Sequence, residues 1–235
     1  MSVVNKVIKQ LKLDVLSIQD VPESFSSSVY KIELVNHQIV YLKIPYSKGK
    51  WQVELTALNR FLPELPVPRV LDYWEGNEEI TGALLLSAIE GNPLTARAMI
   101  EPRLAHQIGV QHAILHAIPI LPADYNGAIV TMYEDWTAAM KRMFYSFAVD
   151  AEKALDRTLF RKAIDRFEQE HRFLPPPDGP CFVHMDFRAG NLLIKENTLK
   201  GIIDFESVKI GATEIDFHKL DRDLFFNSSR YFKSL

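Results

Sequence analysis

The sequence predicts an α+β fold of two lobes, a small antiparallel β lobe with one main helix and a larger, mostly helical lobe. Strand patterns dominate the chain before residue 90, and helical patterns dominate it afterwards. The strand patterns lie at 29–35, 38–44, 70–74 and 83–86. The helical patterns of the second part lie at 95–118, 134–150 and 151–173, and short strands return between 181 and 205. A cleft between two such lobes is a favoured place for a ligand.

The segment Glu90-Gly91-Asn92-Pro93 is the predicted boundary, because glycine and proline interrupt regular structure. It divides the chain into a first lobe at 1–86, a hinge at 87–91 and a second lobe at 92–235. Within the first lobe, apolar residues at helical spacing predict an amphipathic helix at 2–13 and another helix at 50–62. Pro63 ends the second of these helices, because proline cannot continue one.

Composition excludes several classes of function. The 235 residues carry a net charge of −3 and show no basic stripe, so no nucleic-acid partner is expected. Cys181 is the only cysteine, which rules out an internal disulfide and is typical of a reducing compartment. Lysines interrupt the apolar residues of the N-terminus, and no apolar run approaches the ~20 residues that cross a bilayer. We therefore expect a cytoplasmic protein without a membrane partner, whose oligomeric state the sequence leaves open.

The strongest motif is His184-Met185-Asp186-Phe187-Arg188-Ala189-Gly190-Asn191, followed by Ile203-Asp204-Phe205. The spacing from Asp186 to Asn191 is that of the kinase catalytic loop, in which the aspartate accepts the proton of the attacking hydroxyl. An Asp-x4-Asn spacing also occurs by chance, usually in a solvated turn. His184 and the hairpin that follows make the catalytic interpretation the better one.

The hairpin predicts a metal site. Strands at 191–195 and 200–204, joined by a turn at 196–199, place Asn191 directly opposite Asp204 in an antiparallel register. Directly opposed residues have Cβ atoms ~5 Å apart on one face of the sheet. An amide oxygen and a carboxylate are hard ligands of the kind that Mg²⁺ prefers.

Lys43 and Glu54 form the second candidate pair. Lys43 lies in the strand at 38–44, and Glu54 borders the apolar stripe of the helix at 50–62. A carboxylate at that position requires a partner, because an unpaired buried charge is costly. In kinases such a lysine is held against the nucleotide phosphates. Alternatively, the two residues are unrelated surface charges.

Two further features are weaker. The serine-rich segment at 24–28 offers close backbone approach and hydroxyl donors to a phosphate, although a plain surface turn is the better interpretation by itself. His112 and His116 have the spacing of a zincin, but position 113 is alanine where that mechanism needs glutamate. The two histidines are therefore interpreted as ordinary helix residues.

From the serine-rich segment to Asp216, the chain resembles the aminoglycoside phosphotransferase and choline kinase family, which has a protein-kinase-like fold. The resemblance rests on the catalytic loop at 184–191 and on the Ile-Asp-Phe of 203–205. It implies that Asp186 is the catalytic base, that Asn191 and Asp204 bind Mg²⁺, and that Lys43 and Glu54 form the phosphate-binding pair.

The resemblance also implies the remaining parts of a nucleotide site for ATP (or GTP). The segment with Ser26, Ser27 and Ser28 would cover the phosphates, and the backbone of Ser87, Ala88 and Ile89 in the hinge would meet the base. Asp216 would brace the catalytic loop without doing chemistry.

The predicted function is transfer of the γ-phosphate of ATP to a hydroxyl of a small molecule. The acceptor would be an amino sugar or aminoglycoside, an amino alcohol such as choline, or a related metabolite. One alternative is a catalytically silent nucleotide-binding regulatory protein of the same fold. The presence of every polar residue expected at the catalytic site disfavours this alternative. Another is a metal-dependent phosphohydrolase, which the Lys43–Glu54 pair disfavours.

Arg188 has two possible roles. Its guanidinium lies two residues after Asp186 and grips phosphate oxygens well, so we predict that it reaches the transferring γ-phosphoryl group. Alternatively, Arg188 pairs with Asp216 or Glu206 and only holds the loop in shape.

Overall fold

A computed structural model describes residues 2–22, 26–95, 100–133, 135–173, 178–220 and 223. It confirms the predicted α+β class, with a five-stranded antiparallel sheet at the start of the chain and mostly helices after it. Among the residues described, no helix is long and apolar enough to span a bilayer.

The first part of the chain is a five-stranded sheet with two helices. Its elements are α1 (Val3–Gln10), β1 (Val15–Asp20), β2 (Ser27–Leu34), β3 (Ile39–Pro45), α2 (Lys48–Phe61), β4 (Val70–Trp74) and β5 (Ala83–Ser87). The strands pair in the order β1-β2-β3-β5-β4, and each neighbouring pair is antiparallel. The predicted strands do not include β1, whose apolar and polar residues alternate only from Leu16 to Gln19 and whose side chains are almost all exposed.

Strand β3 places Lys43 on the face of the sheet that α2 covers. Val40, Leu42 and Ile44 pack with Val7 of α1 on one face. Because side chains of a strand alternate between faces, Lys43 points the other way, toward α2. The sheet therefore brings the lysine to the helix that carries Glu54.

The second part of the chain is mostly helical. Its elements are β6 (Asn92–Pro93), α3 (Pro102–Ala117), α4 (Trp136–Ala154), α5 (Arg157–Glu170), β7 (Cys181–Val183), β8 (Leu192–Lys195), β9 (Thr198–Ile202), β10 (Lys209–Gly211) and α6 (Glu214–Leu220). Strands β6, β8 and β9 form one small sheet, and β7 pairs with β10. Two helices lie where 134–150 and 151–173 are predicted, but α5 begins only after Asp156, whose carboxylate caps it. The predicted helix at 95–118 begins at Pro102, and residues 96–99 lie outside the described part.

The predicted register of the β8–β9 hairpin is wrong. Its turn contains two residues, Glu196 and Asn197, both with left-handed φ angles of 51° and 54°, where the prediction assumed four. A bulge between Leu193 and Ile194 shifts the pairing again. The alternation of apolar and polar residues indicates neither the two-residue turn nor the bulge.

The shifted register changes the neighbour of Asn191. The carbonyl of Asn191 accepts from the backbone N–H of Ile203 at 3.0 Å. Asp204 lies one residue beyond that pair, where its φ angle of 71° turns the chain out of the ladder. Asn191 and Asp204 therefore end the two strands without being directly opposed.

Helix α2 is anchored to the second part of the chain by aromatic rings. Phe61 lies 5.1 Å from Phe182 and 5.6 Å from Phe205, measured between ring centroids, and all three are fully buried. Such ring pairs stabilise beyond the area that they bury. The helix with Glu54 is thus fixed against the strands around the catalytic loop.

Gly91, the last residue of the predicted hinge, is packed closely against the β8–β9 hairpin. The φ angle of this residue is 122°, and a Cβ added there would lie 2.7 Å from the carbonyl oxygen of Ile194. Only glycine satisfies both the conformation and the close approach.

Candidate active site

Lys43 is the centre of a buried cluster of carboxylates, which we call the Lys43 cluster. Its Nζ lies 2.7 Å from Glu54, 2.7 Å from Asp204 and 3.1 Å from Glu206. Lys43 is 6% exposed and Glu54 is 1% exposed, so this ion pair is shielded from water. The pairing of Lys43 with Glu54 that the sequence predicts is present, and its role in binding phosphate stays a prediction.

The Lys43 cluster contains more negative than positive charge. Burial disfavours the ammonium form of Lys43, but the three carboxylates outweigh it and raise the pKa of the lysine. Burial raises the pKa of Glu54 to about 7 despite the opposing effect of Lys43, and the charges of Asp204 and Glu206 add to the rise. When all three carboxylates are ionised, Lys43 together with Lys50 leaves one negative charge unbalanced, which favours binding of a further cation.

Glu206 is a member of this cluster that the sequence does not identify. Its carboxylate accepts from Lys50 at 2.8 Å and from the hydroxyl of Ser26, besides its contact with Lys43. Burial tends to raise the pKa of Glu206, but these partners outweigh it and lower the pKa. Its place two residues after Asp204 is the sequence feature that points to it.

The three serines predicted to cover the phosphates do not form one loop. Ser27 and Ser28 already pair with Pro45 and Ile44 in the β2–β3 ladder, so the strand starts two residues earlier than predicted. Only Ser26 precedes the strand, and its hydroxyl points to Glu206. Ser24 and Phe25 of the predicted segment lie outside the described residues.

Asp186 is the centre of a second cluster, which we call the Asp186 cluster. The Nδ2 of Asn191 donates to the backbone carbonyl of Asp186 at 2.9 Å and to its carboxylate at 3.0 Å. Met185, just before it, has a φ angle of 67°, which turns the loop sharply. The loop thus places the carboxylate of Asp186 within hydrogen-bonding distance of the side-chain amide of Asn191.

Two cations contact the carboxylate of Asp186. Lys219 of α6 donates to Oδ1 at 2.5 Å, and the Nε of Arg188 lies 3.3 Å from Oδ2. Burial tends to raise the pKa of Asp186, but Lys219, Arg188 and Asn191 outweigh it and lower the pKa. Arg188 contacts neither of its alternative partners, Asp216 and Glu206, because the chain folds it back onto Asp186.

Lys219 is missing from the sequence prediction. It lies 33 positions after Asp186 and belongs to a short helix whose charge pattern is unremarkable. Only the packing of α6 against the catalytic loop brings the two residues together.

Asp216, the residue expected to brace the loop, holds its backbone directly. Its two carboxylate oxygens accept from the N–H groups of His184 and Met185, each at 2.7 Å. Asp216 is 1% exposed, and it also lies close to His112 and His116 of α3. The backbone that leads into Asp186 is therefore positioned by α6.

The predicted hinge at 87–91 begins at the last residue of β5. The N–H of Ser87 already donates to the carbonyl of Arg69 at 2.9 Å, and its hydroxyl accepts from the N–H of Arg69. Ser87 therefore belongs to the end of the sheet, which makes Ala88 and Ile89 the better candidates for contact with a nucleotide base.

Solved structures of phosphotransferases share this architecture. The GDP and kanamycin complex of APH(2")-IIia is similar over 98% of this chain and 81% of that chain, with 17% identity and a TM-score of 0.78. Macrolide 2'-phosphotransferase MphH from Brachybacterium faecium is similar over 92% and 75%, with 14% identity and a TM-score of 0.68. The streptomycin–ATP complex of APH(2")-IIa is similar over 92% and 72%, with 19% identity and a TM-score of 0.63. At these identities the likeness establishes the fold.

The fold and the family match together define a phosphotransferase. The model of the phosphotransferase enzyme family matches residues 17–228, which is most of the chain, and the chain belongs to that family. A comparison with curated proteins found no match. The resemblance identified from the catalytic motif is thereby confirmed.

Proposed function

We propose that this phosphotransferase moves the γ-phosphate of ATP or GTP to a hydroxyl of a small molecule, in the cleft between a lobe at 1–86 and a lobe at 92–235. The observation that carries the proposal is the pair of clusters of opposite charge. The Lys43 cluster is negative and accepts a metal ion, whereas the Asp186 cluster is positive and accepts phosphate oxygens. Both are requirements of phosphoryl transfer.

The residues present fit Mg²⁺. The carboxylates of Glu54, Asp204 and Glu206 offer oxygen atoms within 4.8 Å of one another. Asn191 uses its Nδ2 on Asp186, which leaves its amide oxygen to accept or to bind a metal. We assign Asp204 and Asn191 as the residues that would hold Mg²⁺, which when bound neutralises phosphate charge.

Asp186 is assigned as the base for the acceptor hydroxyl. Its carboxylate is ionised well below neutral pH, because Lys219 and Arg188 stabilise the charge. We assign Arg188 to the transferring γ-phosphoryl group, since its guanidinium is already beside the base. Lys219 then keeps the carboxylate oriented when Arg188 turns toward phosphate.

Lys43 is assigned to the α- and β-phosphates, with Glu54 holding it in place. A triphosphate that reaches Lys43 would also meet Lys50, which is paired with Glu206. The base of the nucleotide would lie against the backbone of Ala88 and Ile89. Solved relatives of the fold contain GDP in one case and ATP in another, so both nucleotides belong in the test.

The acceptor class is proposed from the ligands of solved relatives and from the charges beside Asp186. Relatives of the fold were solved with kanamycin and with streptomycin, which makes an amino sugar or aminoglycoside one candidate. An amino alcohol such as choline and other hydroxylated metabolites are the remaining candidates. Arg188 and Lys219, beside Asp186, would repel a protonated acceptor amine placed close to the reacting hydroxyl.

The test is turnover of ATP and GTP with Mg²⁺ against a panel of hydroxylated metabolites and antibiotics. We expect a phosphorylated product with at least one acceptor, detected by mass spectrometry, and much slower product formation with Asp186→Asn. Nucleotide binding is measured separately by calorimetry. Binding of Mg-ATP or Mg-GTP without any product would support the catalytically silent alternative, and hydrolysis independent of an acceptor would support the phosphohydrolase.

A further inference from the structure

Two histidines of α3 and an aspartate of α6 form a third cluster, separate from the Lys43 and Asp186 clusters. His112 and His116 lack the glutamate that a zincin carries between them. Both nevertheless point into the protein, since His112 is 3% exposed and the side chain of His116 is 10% exposed. The carboxylate that faces them is that of Asp216.

The distances in this cluster match those between ligands of one metal ion. The Nε2 of His116 is hydrogen-bonded to Oδ2 of Asp216 at 3.2 Å, and the Nε2 of His112 lies 3.5 Å from the same oxygen. All three atoms lie within 4.8 Å of one another. Ligand atoms at about 2.0–2.2 Å from a tetrahedral Zn²⁺ are separated by roughly 3.3–3.5 Å.

The ring of His112 contains a buried nitrogen that the protein does not satisfy. Its Nε2 has no hydrogen-bond partner among the described residues, despite its ion-pair distance to Asp216. Phe187 stacks on the ring at 4.1 Å with an interplanar angle of 8°, so the ring is held in this orientation. Leaving a buried polar atom without a partner costs stability. A metal ion bound to Nε2 would remove that cost.

The carboxylate of Asp216 is oriented as a metal ligand requires. Backbone N–H groups of His184 and Met185 donate to its two oxygens, in the way that groups behind a metal ligand normally hold it. Two imidazoles and one carboxylate suit Zn²⁺ and similar transition metals. Mg²⁺ prefers oxygen ligands throughout and belongs to the Lys43 cluster instead.

We propose that His112, His116 and Asp216 form a binding site for a divalent transition metal of the zinc type. The ion would join α3 to α6 and, through Asp216, to the backbone that carries Asp186. This site goes beyond phosphoryl transfer and does not depend on it, because none of its ligands is among the residues assigned to the nucleotide, the Mg²⁺ ion or the acceptor. Because the metal ion would bind the folded chain and not the unfolded chain, it would stabilise the folded state.

The test is titration of the metal-free protein with Zn²⁺ and with Co²⁺, in excess Mg²⁺ to occupy the carboxylates around Lys43. Three proteins are compared: the wild type, His112→Leu and His106→Leu. His106 lies on the same helix but is exposed, so it is the matched control. We expect one Zn²⁺ per chain in the wild type and in His106→Leu, with binding weakened more than about tenfold in His112→Leu.

Two further measurements identify the ligands. The absorption spectrum of bound Co²⁺ should show nitrogen ligation in a site of low coordination number, and Zn²⁺ should raise the melting temperature of the wild type but not that of His112→Leu. If His112→Leu does not fold, His112→Gln is used, because it keeps a polar side chain. Equal Zn²⁺ affinity in the wild type and the His112 variant would show that the proposal is wrong and that the cluster is a hydrogen-bonded brace only.

Discussion

The Lys43 cluster and the Asp186 cluster are opposite in charge. Around Lys43, two lysines face three carboxylates, so the cluster is negative when all are ionised. Around Asp186, one carboxylate faces Arg188 and Lys219, so that cluster is positive. The contrast supports the proposal that the two clusters bind ligands of opposite sign. A metal ion would complete the first, and the phosphate oxygens of a nucleotide would complete the second.

The contrast also separates two kinds of effect that a substitution can have. Residues of the Lys43 cluster are expected to affect nucleotide and metal binding, whereas residues of the Asp186 cluster are expected to affect the rate of the chemical step. Substitutions in the two clusters test this division, and a glycine substitution outside them follows; the order is from the largest expected effect to the smallest.

Asp204→Ala is expected to have the largest effect. Loss of a metal ligand removes charge stabilisation of several kcal/mol, which corresponds to a fall in Mg-ATP turnover of about 10³-fold or more. Steady-state kinetics measures it. Asp20→Ala, which removes an exposed carboxylate of the same sheet as Lys43, is the control and should turn over normally. Near-normal turnover in Asp204→Ala would contradict the assignment of the metal site.

Asp186→Asn is expected to lower kcat by ~10²–10⁴-fold, because general-base loss has that effect. The nucleotide affinity, measured by calorimetry, should change little, since the base acts on the acceptor. If nucleotide affinity collapsed while kcat survived, Asp186 would be a metal ligand, and the division between the two clusters would fail.

Arg188→Met and Lys219→Met should separate the two cations of the Asp186 cluster. Arg188→Met is expected to lower kcat by about 10²-fold, as loss of a group that stabilises the transition state does. Lys219→Met should lower it by roughly tenfold, because it removes one charge-assisted hydrogen bond to the base. Arg188→Lys keeps the positive charge but loses the paired N–H donors of the guanidinium. Its kcat should therefore lie between that of the wild type and that of Arg188→Met.

Melting curves of the same variants provide the control for Arg188. A catalytic role requires an unchanged melting temperature and nucleotide affinity in Arg188→Met. A lower melting temperature with the kcat of the folded fraction intact would show that Arg188 only holds the loop.

Gly91→Ala is expected to have the smallest effect on activity and a clear effect on stability. The methyl group would meet the carbonyl of Ile194, and the φ angle is unfavourable, so the free energy of unfolding should fall by about 1–3 kcal/mol. Gly109→Ala is the matched control. It lies in α3 with open space around it, and alanine there should stabilise by about 0.5–1 kcal/mol. Equal denaturation midpoints for the two variants would show that the hinge is not packed as described.

The sequence by itself predicted the parts of the site that depend on local spacing. The alternation of β3 and the apolar stripe of α2 predict that Lys43 and Glu54 meet, because only eleven positions separate them. The positions from His184 to Asp204 likewise lie in one loop and one hairpin, whose local pattern is visible. The register of that hairpin was wrong, because a bulge and a two-residue turn leave no mark in apolar alternation.

Only the tertiary structure decided which distant charges complete each cluster. Glu206 meets Lys43 across 163 positions and Lys50 across 156 positions, and Lys219 meets Asp186 across 33 positions. In the sequence, His112 and His116 form a zincin-like spacing without the glutamate. In the structure, the packing of α6 places Asp216 next to both histidines. The physical reason is that local spacing determines which face of a helix or strand a side chain occupies, whereas the packing of separate elements determines what that face meets.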